Sequence, residues 1–187
     1  IERELQDRLA SGPDFAVMYL DIDRFKSFND HYGYARGDRA ITLLAHVLCE
    51  SARARGDAGT FGGHVGGDDF VVVCATDHAE SLAQEVIRRF DAEVGDLHDA
   101  DDLARGYLET YTRTGEAVHA PLITLTIALI VGVRERFAHT AAMSDALAEL
   151  KRHGKRQEGS VVAQERRMSA GASRPRASVR IGGQPET

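Results

Sequence analysis

Gly62-Gly63-His64-Val65-Gly66-Gly67-Asp68-Asp69-Phe70 runs directly into Val71-Val72-Val73. The Gly66-Gly67 pair, set between Phe61–Val65 and Phe70–Ala75, predicts a tight turn joining two strands into a hairpin. Asp68 and Asp69 therefore stand on a glycine turn at the mouth of a buried strand. A turn has use for one Asp. Two adjacent carboxylates repel each other unless a cation or strong donors lie nearby, so this pair demands a positive partner.

Upstream, Phe15-Ala16-Val17-Met18-Tyr19-Leu20 is an unbroken apolar run, which reads as a strand covered on both faces. It ends in a second acidic pair, Asp21-Ile22-Asp23. Before it, Ile1, Leu5 and Leu9 recur at helical spacing until Ser11-Gly12-Pro13-Asp14 stops the helix. After it come a short polar link through Asn29-Asp30 and a glycine-bearing loop, Tyr32 to Asp38. Asp38 is placed to cap a helix whose inner stripe is Ile41, Leu44, Val47 and Leu48. Downstream of the hairpin, Leu82, Val86, Ile87, Phe90 and Val94 mark another amphipathic helix. A smaller hairpin is expected from Gly106 to Val118, with its turn near Thr114-Gly115-Glu116. The next strand alternates, with Ile123, Leu125, Ile127 and Leu129 on one face and Thr124, Thr126 and Ala128 on the other. A last helix spans roughly Ala141 to Lys151, with Met143, Leu147 and Leu150 inward.

This order of strands and helices fits an α+β fold of the ferredoxin-like kind, with helices flanking a mostly antiparallel sheet. Residues 159–187, rich in Ser, Arg and Gly, read as a disordered tail.

The 187 residues carry 43% hydrophobic and 28% charged side chains, the balance of one soluble globular domain. A formal charge of −6 argues against a nucleic-acid partner, which needs a basic face. It leaves room for a nucleotide held through a metal. Cys49 and Cys74 form no metal-ligand pattern and read as buried free thiols, which suits a reducing, cytoplasmic setting. No apolar run approaches the ~20 residues of a membrane span.

If the first strand neighbours the hairpin, Asp21, Asp23, Asp68 and Asp69 come together. With Lys26 just beyond, that gathering suits a magnesium or manganese ion carrying a nucleotide triphosphate: hard oxygen ligands for the metal, a cation for the phosphates. Each Asp taken alone is equally well a capped turn or a solvated loop end. An EF-hand is excluded, since Phe25 and Lys26 fall where that loop needs an oxygen ligand and a glycine. A Walker loop is excluded too, because the only Gly-Lys pair, Gly154-Lys155, is followed by Arg156. The eight histidines show no zinc-type spacing.

Leu20-Asp21-Ile22-Asp23-Arg24-Phe25-Lys26-Ser27-Phe28-Asn29-Asp30-His31-Tyr32-Gly33-Tyr34-Ala35-Arg36-Gly37-Asp38, followed by Gly66-Gly67-Asp68-Asp69-Phe70, resembles the GGDEF family of diguanylate cyclases. The likeness continues through Leu125-Thr126-Ile127-Ala128 and Lys151-Arg152-His153-Gly154-Lys155. It implies a palm-type sheet, a domain over residues 1–158 whose opening Asp-x-Leu-Thr element lies upstream of Ile1, and a sensory or receiver domain elsewhere in the parent protein. It further implies a bacterial signalling enzyme that binds GTP with two Mg²⁺ or Mn²⁺ ions and joins two GTP into cyclic di-GMP, releasing pyrophosphate. Because each domain supplies half of the reaction site, a homodimer is implied. Carried over by position, Asp21, the carbonyl of Ile22 and Asp68 hold the metals, with Asp69 at the remaining acidic position of the signature. Asn29 and Asp38 read guanine, Phe25 lies on the substrate side, and Lys26, Lys151 and Lys155 meet the phosphates. The two late lysines also suit a helix C-terminus as such, which favours cations.

The chain departs from the family pattern in places. Asp69 replaces the usual Glu and shortens the reach by roughly 1.5 Å. His64 stands where an arginine is common, and Ala128 where a glycine is. Asp57-Ala58-Gly59-Thr60 replaces the Arg-x-x-Asp motif of the inhibitory product site, so feedback inhibition there is not expected. The alternative the departures favour is a degenerate, non-catalytic module that binds GTP or passes a dimerisation signal.

Overall fold

The computed structural model describes residues 1–111 and 116–164. Among them, five strands form one sheet in the order β2 (Phe61–Gly66), β3 (Asp69–Ala75), β1 (Phe15–Asp23), β6 (Thr124–Val131), β7 (Val161–Gln164). β1 is central and antiparallel to both β3 and β6. β2 pairs with β3 as the expected hairpin. The turn is Gly67-Asp68 rather than Gly66-Gly67, because an irregularity between His64 and Gly66 moves the register by one residue. Asp68 therefore occupies the turn and Asp69 opens the strand.

Side chains alternate across β1, so each face of the sheet builds its own core. Ala16, Met18, Leu20 and Ile22 face α2 (Phe25–Tyr32), α3 (Tyr34–Arg55) and α4 (Ala79–Glu93), with Phe28, Leu44, Val47, Leu82, Val86 and Phe90 buried there. Val17 faces the opposite way, toward Leu5 of α1 (Glu2–Ala10), Val133 of α6 (Val133–Arg136), and Met143 and Leu147 of α7 (Thr140–Gly154). β6 divides as its alternation predicts: Leu125, Ile127 and Leu129, with Ile123 just before the strand, join the first core, Ala128 and Ile130 the second. A short helix α5 (Ala100–Arg105) leads into the outlying hairpin of β4 (Tyr107–Tyr111) and β5 (Ala117–Pro121). Its expected turn at Thr114-Gly115 lies outside the described residues. No helix among the described residues is long and apolar enough to cross a membrane.

Four expectations need correction. The polar link through Asn29-Asp30 is the helix α2, with Phe28 as its buried anchor. Asp38 does not cap α3: the helix begins at Tyr34 after Gly33, leaving Asp38 exposed in its second turn. Cys74 is buried but Cys49 is exposed, since the phase of α3 turns it outward beside buried Leu48. Within the segment expected to be a tail, Val161–Gln164 forms β7, which pairs in parallel with β6 and buries Ala163. The remainder of that segment, 165–187, lies outside the described residues.

Candidate active site

The register of β1 and β3 sets Asp21 directly opposite Asp69, on the face that also carries Val17 and Tyr19. Like charges opposite one another across a strand pair destabilise it. The cation that answers them comes from the last turns of α7. Lys151 Nζ donates to Asp21 Oδ2 at 2.9 Å and to Asp69 Oδ1 at 3.1 Å, and stands 4.6 Å from the centre of the Tyr19 ring. Lys155 Nζ pairs with the other oxygen of Asp21. Asp21 is only 5% exposed, so both of its oxygens meet ammonium groups away from bulk water.

The helix can bring its lysines this close because of Gly154. A Cβ there would stand 2.6 Å from Thr126 Cγ2 and 3.2 Å from the Ala163 Cβ, so a side chain would lift the last turn of α7 off β6 and β7. Burial lowers the Lys151 pKa, but the Asp21 and Asp69 carboxylates outweigh it and the net direction is upward. Tyr19 is shifted upward by burial and by the Asp69 charge.

The other two aspartates differ. Asp23, buried one pleat along, accepts hydrogen bonds from Thr124 Oγ1 and Thr126 Oγ1, each at 2.9 Å. Burial raises its pKa and the two hydroxyls pull it back. Its carboxylate is thus committed to stitching β1 to β6. Asp68, in the hairpin turn, has its pKa raised by partial burial and by the Asp21 charge. It lines the same cleft as Asp21.

That cleft, of about 520 Å³, lies between the end of β1, α2 and the hairpin turn. Asp21, Ile22, Phe25, Lys26, Asn29, Asp68 and Lys155 line it. Arg24 turns the chain out of β1 with φ 60°, a left-handed conformation uncommon outside glycine, and so starts α2 with Phe25 against the core and Lys26 exposed. Asn29 packs on Gly37, where an added Cβ would run into its Oδ1 and come within 2.8 Å of its Cγ. The Asn29 Oδ1 is buried and has no hydrogen-bond partner among the described residues. A buried polar atom left this way is costly unless a ligand completes it.

Of the residues singled out from sequence, Asp21, Ile22, Asp68, Phe25, Lys26, Asn29 and Lys155 share this cleft. Asp69 and Lys151 lie beside it, joined to it through Asp21. Asp38 is exposed on α3, next to the Gly37 on which Asn29 packs, and is not among the residues that line the cleft. Tyr19 was missed, although the two-residue spacing to Asp21 places both on one face of β1. His64 braces the turn: its Nε2 lies 2.8 Å from the Gly67 carbonyl oxygen and its ring stacks on Phe70. Asp57 closes its own loop, accepting from the Thr60 hydroxyl at 2.8 Å and the Gly59 N–H at 3.1 Å.

The donor set fits a hard divalent cation. Asp21, Asp68 and Ile22 line one cleft and offer it hard oxygen donors, and Mg²⁺ characteristically takes one or two carboxylates and completes its shell with water and phosphate oxygens. Among the described residues, no group of three or more His, Cys, Asp or Glu side chains is arranged to hold a metal ion by itself.

A largely antiparallel five-stranded sheet, with helices on both faces and carboxylates at the end of its central strand beside a polar cleft, defines an α+β domain of the palm type. The family model described as "Diguanylate cyclase, GGDEF domain" matches residues 1–116, more than half of the chain, and the chain belongs to the GGDEF family. Diguanylate cyclase DgcM of Escherichia coli is 34% identical over 104 residues, covering 48% of this chain and 24% of that protein. The segments matched span no more than 24% of the length of the first three curated relatives. Among solved structures, the GGDEF domain of DgcB from Caulobacter crescentus in complex with c-di-GMP superimposes with a TM-score of 0.55 at 22% identity, covering 87% of this chain and 84% of that one. The GGDEF domain of PA1120 from Pseudomonas aeruginosa gives 0.56 at 22% identity, covering 88% and 90%. At these identities the structural likeness speaks to the fold alone.

Proposed function

We propose that this domain is a diguanylate cyclase that condenses two GTP into cyclic di-GMP with release of pyrophosphate, working as a homodimer in which each copy binds one GTP. The observation that carries this reading is the cleft itself: Asp21 and Asp68 at one end, Lys26 and Lys155 along it, and Asn29 on its wall with a buried, unpartnered Oδ1.

Asp21, the Ile22 carbonyl and Asp68 hold the divalent ions. A bound Mg²⁺ or Mn²⁺ supplies Lewis-acid polarisation of phosphate oxygens and neutralises the charge of the leaving group. Lys26, Lys151 and Lys155 meet the phosphates as ammonium point charges. Asn29 and Asp38 recognise guanine, whose ring and exocyclic N–H groups donate to their oxygens, a pattern adenine lacks. Phe25 supplies apolar surface at the cleft wall, and Asp69 holds Lys151 in place. In the reaction the 3′ hydroxyl of one GTP attacks the α-phosphate of the other in line, so two domains must face each other. The parent protein's sensory partner then acts by bringing them together.

The test is incubation of dimerised protein with GTP and Mg²⁺ or Mn²⁺, with cyclic di-GMP read by chromatography and mass. Product formation lost in Asp68→Ala supports the reading. No product, with Asp68→Ala indistinguishable from the native chain, refutes it. The position of Asp69, engaged with Lys151 and off the cleft lining, favours a second reading as a GTP-binding module without turnover. A calorimetric titration showing no GTP binding rejects that one.

A further inference from the structure

We propose that Lys151 is a built-in counter-cation that holds the acidic site closed to metal until nucleotide arrives, so that its transfer from the carboxylates to the phosphates couples the two binding events. The inference rests on the cyclase-type site proposed above and concerns what Lys151 does before that site is loaded.

Its ammonium is wedged between the cross-strand carboxylates of Asp21 and Asp69, at 2.9 and 3.1 Å. The Tyr19 ring lies against it, and its side chain is only 25% exposed. Lys155 makes an ion pair, though no hydrogen bond, with the second oxygen of Asp21, so both oxygens of that carboxylate face ammonium charge. A divalent ion bound to Asp21 at ~2.0–2.1 Å would share an oxygen with a charge of the same sign. Loading the metal alone therefore means breaking a partly buried ion pair and leaving an ammonium beside a dication. Loading it with a triphosphate in the adjoining cleft offers the ammonium an anionic partner in exchange for the carboxylates. A ligand shifts an equilibrium only by its differential affinity for two states, and here the difference lies in where the Lys151 charge is satisfied. By linkage, metal must then strengthen nucleotide binding by the same factor.

The experiment is a calorimetric titration of Mn²⁺ into nucleotide-free protein, repeated with saturating non-hydrolysable GTP analogue, for the native chain, Lys151→Met and Lys151→Arg. Circular dichroism confirms that each variant is folded. The native chain is expected to bind Mn²⁺ more tightly with nucleotide, within the roughly 5- to 150-fold range common for coupled sites. Lys151→Met should bind nucleotide-free Mn²⁺ about tenfold more tightly than native, with most of the coupling gone. Lys151→Arg keeps the charge and should resemble native. The proposal is overturned if Lys151→Met leaves nucleotide-free Mn²⁺ affinity unchanged or weaker while the native chain still makes cyclic di-GMP; the cyclase reading then stands. If no form binds Mn²⁺ with or without nucleotide, both fall together.

Discussion

Gly37→Ala separates the recognition site from the fold. Gly37 lies inside α3 and is buried, so replacing it with Ala gains helix propensity worth about 0.8–1.0 kcal/mol. The new Cβ would collide with the Asn29 carboxamide. That group is the free end of a side chain, and turning it away from its rotamer costs about 0.5–1.5 kcal/mol. The two effects nearly cancel, leaving stability within about 1 kcal/mol of native. Nucleotide binding has no such compensation. If Asn29 makes one or two hydrogen bonds to guanine, losing them costs about 1–3 kcal/mol, which is roughly a 5- to 150-fold loss of affinity. Calorimetry with a non-hydrolysable GTP analogue and Mg²⁺ measures the affinity, and urea denaturation measures the stability. In an Asn29→Ala background the collision is gone, so Gly37→Ala should there raise stability by about 1 kcal/mol and leave the already weakened affinity unchanged. A folded Gly37→Ala protein that binds within about twofold of native would refute the role given to Asn29.

Three further outcomes are expected. Asp69→Glu restores the reach of the signature carboxylate and should raise cyclic di-GMP formation by forced dimers; an unchanged or lower rate shows that the shorter side chain does not limit turnover. Thr126→Val keeps the shape but removes one of the two hydroxyls that hold buried Asp23, and should cost about 1–3 kcal/mol in urea denaturation, whereas a cost near zero would show that Thr124 alone suffices. Stability should fall as pH drops below 6.5, the ordinary value from which burial lowers the His98 pKa. There the unfolded chain takes up a proton that the folded chain resists. Asp102, whose pKa is lowered from 3.8 chiefly by the Tyr32 hydroxyl, adds stability present above that value and lost as pH falls further, in the same direction. Comparing urea midpoints at about pH 7.5 and 5.5 for native and His98→Gln checks this: the variant should show the smaller drop, and equal drops remove His98 as the cause.

Strong periodicity made most of the sheet legible. The unbroken run of β1, the glycine hairpin of β2 and β3, and the alternation of β6 could each be read, because short apolar runs bounded by turn residues are what a sheet covered on both faces requires. α2 could not. Its only buried residue is Phe28, so eight residues offer no stripe from which a helical period can be counted, and Asn29-Asp30 reads as a turn when seen alone. β7 was equally silent, four residues whose place depends on pairing in parallel with a strand some 35 positions earlier. In the site, the ligand types were legible and the partnerships were not. Lysines near a helix C-terminus satisfy the dipole as readily as a phosphate, and no local pattern tells that Lys151 reaches a carboxylate 130 residues away.

The same contact explains why the acidic signature can be folded at all. Asp21 and Asp69 are forced opposite each other by a register fixed elsewhere, through Phe15↔Ala75, Val17↔Val73 and Tyr19↔Val71. Moving either strand by one residue would exchange the side chains between two cores packed around different volumes, so the repulsion between the carboxylates is not relieved by slipping. It has to be neutralised in place. A bound ion does that only while ion and nucleotide are present, whereas an ammonium carried on α7 does it from the moment the helix docks. Gly154 permits that docking by letting the last turn of α7 approach Thr126 and Ala163. The acidic pair and the closely packed end of α7 are thus one device: two carboxylates held face to face by the register of the sheet stay folded because the helix docked beside them carries their cation.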